Sequence, residues 1–281
     1  MGAVVGTAVR RDRDMVYVAG PDARSYLQGQ LSQDVDALAA GESAYTFVLQ
    51  PNGKVDAWLR VTRMADDAFL LDVEAGWGEV VVVRLTRFLL RTNCTVELLD
   101  WQLVTVMDTD PATVDIPVGE VIIPVDWPGL QGVDVLGPSV DVPDGMNEVD
   151  GSVWEYRRIA AGIPAMGADM NDSTIPGATG VVNRSVSFTK GCYTGQELVA
   201  RVDSRSAGTP TRLVRAVGNG PTPATGSEIT LDGDLAGRLT SVAVDADGAG
   251  FGFVALADVR RAVMVPATVN VGDVEVSLLA D

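Results

Sequence analysis

Beyond Arg205 the chain changes texture: short apolar segments at Arg212–Val217, Gly237–Val244, Gly250–Ala257 and Val263–Val269 alternate with Asp-Gly and proline-rich turns. Short, regularly spaced strands bury their apolar faces by closing on one another, so this stretch predicts a small antiparallel β-barrel. Ser206–Pro210 reads as a linker, which divides the chain into a body of residues 1–205 and a barrel domain of residues 206–281.

The body mixes helix and strand, giving an α+β fold class with room for two subdomains. Met15–Ala19, Ala44–Leu49 and Val55–Val61 alternate as strands do, and Pro51-Asn52-Gly53-Lys54 turns the last two into a hairpin. Pro21–Leu31 opens with proline and an acidic residue, as a first helical turn does. Gly78–Arg91 has helical periodicity, with Val81, Leu85 and Leu89 on one side and Arg84, Arg87 and Arg91 on a solvated stripe. Ser152 and Glu155 fit a capping box, predicting a helix that stops at Gly162 before Pro164.

Composition excludes several function classes. A chain of 281 residues, 47% hydrophobic and 21% charged, can bury a core, and two or three structural units are expected. Its net charge of −17 opposes direct binding of nucleic acid or an anionic membrane, which needs clustered cations. An anionic ligand therefore needs a local basic pocket. No apolar run approaches the roughly 18–20 residues of a membrane span, and Met1–Gly6 lacks the basic start of a secretory leader, so a cytoplasmic location is expected. The chain has no histidine, which removes histidine acid–base and nucleophile-activating chemistry and the commonest metal ligand. Two cysteines make neither a disulfide scaffold nor a four-thiolate cluster site, and no resident metal is expected.

One of those cysteines lies in Lys190-Gly191-Cys192-Tyr193-Thr194-Gly195-Gln196-Glu197. A lysine on one side and a helix starting near Gly195 on the other would both stabilise a thiolate, so an acidic, reactive Cys192 is expected. Cys94, in an apparent strand Thr92–Val96 with Arg91 as its nearest basic neighbour, reads as structural.

The eight-residue run resembles the signature K-G-C-Y-x-G-Q-E of the YgfZ family of folate-binding proteins. The likeness continues through Leu27–Val35, Gly53-Lys54 and Ala161-Gly162-Ile163-Pro164, and is weakest over residues 110–150 and the last seventy. It implies an aminomethyltransferase-like body, a tetrahydrofolate or other folate ligand, and iron–sulfur client or assembly proteins as partners. Cys192 becomes the reactive centre with Lys190 beside it, and Tyr193, Gln196 and Glu197 become ligand-site candidates. Trp154, seven residues before Ala161-Gly162, stands where the family has a folate-associated tryptophan, and Arg158 or Arg157 on the same helix would offset the ligand's anionic tail. Arg13 stands near the position of a second such tryptophan. Where the aminomethyltransferases carry paired aspartates this chain has Asp56-Ala57. Two rivals remain: a tetrahydrofolate-dependent aminomethyl or methyl transferase using Asp56 as its acid–base group, and a noncatalytic interaction module.

Overall fold

The computed structural model describes residues 6–110, 114, 120–203, 208–245 and 250–280. The chain begins β1 (Thr7–Arg11), β2 (Arg13–Ala19), α1 (Ala23–Gln30), β3 (Ser43–Leu49), β4 (Val55–Ala65), β5 (Ala68–Glu74) and α2 (Gly78–Thr86). It continues β6 (Thr95–Leu99), β7 (Gln102–Met107), β8 (Val121–Pro124), β9 (Gly132–Gly137), β10 (Asn147–Glu148), α3 (Gly151–Ala160), α4 (Val182–Ser185) and α5 (Gln196–Asp203). The last strands are β11 (Thr211–Gly218), β12 (Glu228–Leu231), β13 (Asp234–Val244), β14 (Phe253–Arg260), β15 (Ala267–Val271) and β16 (Val274–Leu278).

These strands form two five-stranded sheets, ordered β3-β4-β5-β2-β6 and β10-β1-β7-β9-β8, and a closed antiparallel barrel ordered β11-β14-β13-β12-β15-β16. The predicted α+β class and C-terminal barrel are both present. Closure follows from the sequence: inward residues such as Ile229, Leu239, Phe253 and Val276 are fully buried, and β11 pairs with both β14 and β16, so no strand edge is left open. The expected boundary between residues 205 and 206 lies outside the described residues.

The largest core, built around Leu27, Phe47, Trp58, Leu71, Val81 and Leu85, lies between the first sheet and its helices. A fully buried side chain of this kind contributes about 1.5–3 kcal/mol. Helix α3 joins body to barrel, with Tyr156 and Ile159 packing against Leu213, Val254 and Leu256.

Several local expectations need correction. Helix α2 ends at Thr86, and Arg91 adopts a left-handed φ of 63°, which a right-handed helix cannot continue through. Arg84 is not on a solvated stripe: it is buried, bonding the Leu49 carbonyl at 2.8 Å and pairing with Asp56 at 3.1 Å. In α3 the N-cap is Asp150, whose Oδ1 accepts from the Ser152 N–H at 2.9 Å, so the helix begins before the Ser152 capping box. Glu155 turns instead to Arg158, three residues on. Cys94 lies just ahead of β6, half-buried, with burial pushing its thiol up.

Candidate functional site

Residues 190–197 form a loop clasped over the end of α1. The Lys190 ammonium donates to the carbonyls of Gln28, Leu31 and Gln33 at 2.7, 2.8 and 2.8 Å, which uses all three of its N–H groups. It thereby satisfies carbonyls that a helix end leaves unpaired. The Thr194 N–H donates to the Gly29 carbonyl at 3.1 Å, so the signature and the Leu27–Val35 segment make one unit.

Two glycines seat the other end of the loop. Gly195 (φ 81°) packs on the β3–β4 turn, where a Cβ would lie 2.7 Å from the Gln50 oxygen and 2.8 Å from Leu49 Cβ. Gly53 (φ 82°) meets Leu198, with only 2.3 Å available for a Cβ. A side chain at either position would force the turn and α5 apart.

The clasp assigns a place to each signature residue. Tyr193 is buried in the main core, and burial pushes its hydroxyl up to about 12. Gln196 accepts from the Tyr193 N–H at 3.4 Å and starts α5, and Glu197 is exposed in that helix's first turn. Cys192 is exposed at the tip, so the loop presents one thiol between anchored neighbours. Lys190 is expected beside the thiol as a stabilising charge; in the structure its three donors go to carbonyls, leaving none to hydrogen-bond the sulfur. Burial pulls this ammonium down to about 8, with Asp34 and Asp36 opposing the shift.

Trp154 and Arg13 meet at the centre of the molecule, but neither presents a free surface there. Arg11 lies 3.7 Å over the Trp154 ring, a cation–π stack occupying the face expected to take a ligand. Around it, Arg13 pairs with Asp72 at 2.8 Å and Glu74 at 2.7 Å, and Arg60 pairs with Asp72 at 2.8 Å and Asp134 at 2.7 Å. Arg11 reaches Asp134 at 3.5 Å, so three arginines and three carboxylates join the two five-stranded sheets. Burial opposes charge throughout. For Asp72, Arg60 and Arg13 outweigh it and hold the carboxyl below its ordinary range; Arg60 and Arg13 are held above theirs by their carboxylates. Arg11, more weakly paired, is pulled down by burial to about 10. The space left among these residues is a cavity of about 20 Å³.

Arg158 is likewise committed. It is buried, bonding Glu155 at 2.7 Å, Asp169 at 3.1 Å and the Ser241 hydroxyl at 3.1 Å, and so ties α3 to the barrel. Asp56 lies apart from the centre, paired with Arg84 in a depression shared with Glu79, Val83 and Arg87. Burial raises its carboxyl, with Arg84 opposing.

A larger opening lies where the body meets the barrel. This groove of about 810 Å³ is lined by Trp127, Tyr156, Arg157, Asn183, Arg184 and Arg215, among others, including Ala161 and Gly162 of the family-like segment. Trp127 donates its indole N–H to the Ala161 carbonyl at 2.8 Å and carries Arg184 at 4.8 Å over its ring. Its edge meets Tyr45 and Trp58, themselves stacked at 4.8 Å, and these two line the central cavity. Three arginines line this groove together with Asp108; Arg157 pairs with Asp108 at 2.7 Å and Arg184 with Asp126 at 3.5 Å.

Sequence reasoning missed Trp127, Arg11, Arg60, Asp72, Glu74 and Asp134. A signal existed for the charged members: Arg60 and Asp72 interrupt apolar strands, Trp58-Leu59-Arg60-Val61 and Leu70-Leu71-Asp72-Val73, and a charge inside a buried strand requires a partner. Trp127 gave none, being flanked by Asp126 and Pro128 in an irregular segment.

No protein-family model matches the chain. An uncharacterized protein of Haemophilus influenzae is 29% identical, over 83% of this chain and 82% of its own. The tRNA-modifying protein YgfZ of Edwardsiella ictaluri is 28% identical, over 68% of this chain and 65% of its own. The mitochondrial iron–sulfur cluster assembly factor IBA57 homologue of Pyricularia oryzae is 27% identical over 71% of this chain, which spans about half (54%) of that relative's length. In structure, the glycine cleavage system aminomethyltransferase T of Bartonella henselae superposes with a TM-score of 0.82 at 18% identity, covering 98% of this chain and 85% of its own. The two sheets and barrel thus have the aminomethyltransferase fold. A YgfZ protein of Klebsiella pneumoniae is similar to the chain as well, at 27% identity over 70% of this chain.

No helix among the described residues is long and apolar enough to cross a membrane, and no group of three or more metal-ligating side chains gathers among them.

Proposed function

We propose that this protein is a folate-binding accessory factor that supports assembly or repair of iron–sulfur clusters in client enzymes, with Cys192 as its reactive centre. The observation that carries this reading is the clasp: Lys190, Tyr193, Thr194 and Gly195 of the signature are anchored, and the thiol between them is presented outward. A thiolate is a soft iron ligand and a nucleophile. One thiol cannot hold a cluster alone, so the partner would supply the remaining ligands. Relatives named for cluster assembly and for tRNA modification support this class of role.

A folate needs an aromatic or apolar wall for its pterin, polar groups for the pterin edge and cations for its glutamate tail. The centre around Trp154 does not fit, because Arg11 covers the ring and about 20 Å³ remains. The groove does fit: Trp127 and Tyr156 supply the wall, Asn183 an amide, and Arg184 and Arg215 the cations, in a volume within the 300–1,000 Å³ of ordinary ligand sites. Bound there, a folate would supply a one-carbon carrier, and these residues would orient it. Against the transferase rival stands Asp56, the carboxylate it requires, which pairs with Arg84 and lines neither cavity.

The test has two arms. Cells carrying Cys192→Ala should lose activity of cluster-dependent enzymes, and cells carrying Cys94→Ala should keep it. In calorimetry, 5-formyltetrahydrofolate should bind the wild type, and Trp127→Ala should weaken it several-fold, as loss of an aromatic contact worth about 0.5–1.5 kcal/mol implies. Full cluster support by Cys192→Ala removes the reactive-centre claim. Rapid aminomethyl transfer by the isolated protein would put the transferase first.

A further inference from the structure

In the ion-pair centre beside Trp154 one buried donor and one buried acceptor have no hydrogen-bond partner among the described residues. Arg60 uses Nε on Asp72 and Nη1 on Asp134, yet its Nη2 has no hydrogen bond. Glu74 receives Arg13 on Oε1, yet its Oε2 has none. Both atoms are inaccessible, and both residues line the same cavity of about 20 Å³. Orphaned groups of this kind are costly and are ordinarily satisfied by an ordered water. A water needs roughly 10–15 Å³ of such space and several polar partners, and this cavity offers room for one. Water also matches the chemistry, accepting from the guanidinium while donating to the carboxylate.

Opening this centre to a planar ring would require Arg11 to leave both Trp154 and Asp134. It would also separate charges that join the two sheets. Each of those losses exposes a buried, unpaired charge.

We propose that one tightly held water bridges Arg60 Nη2 and Glu74 Oε2, and that this hydrated ion-pair centre bars a planar ligand from Trp154. The second half rests on the reading of the protein as a folate binder, and directs the folate to the Trp127 groove.

A high-resolution crystal structure of the wild type, alone and soaked with 5-formyltetrahydrofolate, tests both halves. The expected result is a water peak within hydrogen-bond distance of both atoms, and ligand density away from Trp154. Direct contact between Arg60 Nη2 and Glu74 Oε2, or a cavity without density, overturns the first half. Pterin density against Trp154 with Arg11 displaced overturns the second. In solution, Trp154→Phe should change the affinity for 5-formyltetrahydrofolate by no more than about twofold; a tenfold loss with an unchanged melting temperature has the opposite meaning and sinks the exclusion. If the wild type binds no folate in calorimetry, the folate reading fails on its own, and the proposal then stands or falls on the bridging water.

Discussion

Lys190, half-buried, and Arg60, buried, are both cations withdrawn from water, and the molecule accommodates them in opposite ways. Lys190 sits in a cradle of three neutral carbonyls from residues 28–33, whereas Arg60 is held by carboxylates from β5 and β9, in two different sheets. A neutral cradle does not offset the loss of water, so burial pulls Lys190 down to about 8. At Arg60 the carboxylates outweigh burial and the guanidinium is held above its ordinary value. The carbonyl cradle closes a loop locally, and the ionic centre holds distant sheets together. Removing a partner should therefore be most costly at the centre.

The largest effect is expected from Asp72→Asn, which takes one carboxylate from two buried guanidinium groups. Breaking buried pairs in this way costs about 3–5 kcal/mol, a fall on the order of 10 °C in melting temperature. Folded Asp72 is held below its unfolded value of about 3.9. Its stabilisation is therefore fully present above roughly pH 4 and is lost as pH falls through the depressed folded value. Melting curves across the acid range should be steeper for wild type than for Asp72→Asn. Equal slopes would mean that the centre contributes no linked stability.

Next comes Lys190→Met, expected to cost about 2–3 kcal/mol by stripping an ammonium from three carbonyls. The folded lysine sheds its proton near 8 and the unfolded one near 10.4. Between those values the unfolded state binds more protons, so this group's contribution to stability rises with pH across that window. The rise should disappear in Lys190→Met. An unchanged melt together with slowed alkylation of Cys192 would break the comparison and return the lysine to the thiol.

Gly195→Ala should cost about 1–3 kcal/mol, from a left-handed backbone and a Cβ pressed on Gln50 and Leu49. Gly191→Ala, in the same loop with nothing within 4 Å of a Cβ, should lie within about 0.5 kcal/mol of wild type. Equal losses would show that the clasp does not depend on close approach at Gly195. The smallest effect on stability belongs to Cys192→Ala, also within about 0.5 kcal/mol for an exposed side chain, even as cluster support is lost.

Much of the scaffold was legible because its signals are local. The β3–β4 hairpin, the stop at Gly162 and the barrel strands each follow from alternation and turn residues within a few positions. Four of the six barrel strands were read, with their ends misplaced, as at β15, which begins at Ala267, after Pro266 has left the backbone without a donor; the short strands β12 and β16 were not read. Of the site, the thiol loop was legible and its wiring was not. Lys190 beside Cys192 reads as a pair along the chain, but Lys190 reaches instead to residues about 160 positions away. Trp154 and Arg158 were placed on one helix as expected, and their partners, Arg11, Asp169 and Ser241, come from elements no periodicity connects.

By itself the sequence determined the α+β class, the closed barrel and the eight residues that present Cys192, because alternation, turn chemistry and contiguous motifs act within a few residues of chain. Only the tertiary structure decided that Lys190 caps a helix, that Arg11 covers Trp154, and that Arg13 finds Asp72 across 59 positions. Coulomb attraction in a dry interior depends on distance in space, and the pairing of one buried charge with another is settled only when the sheets have packed.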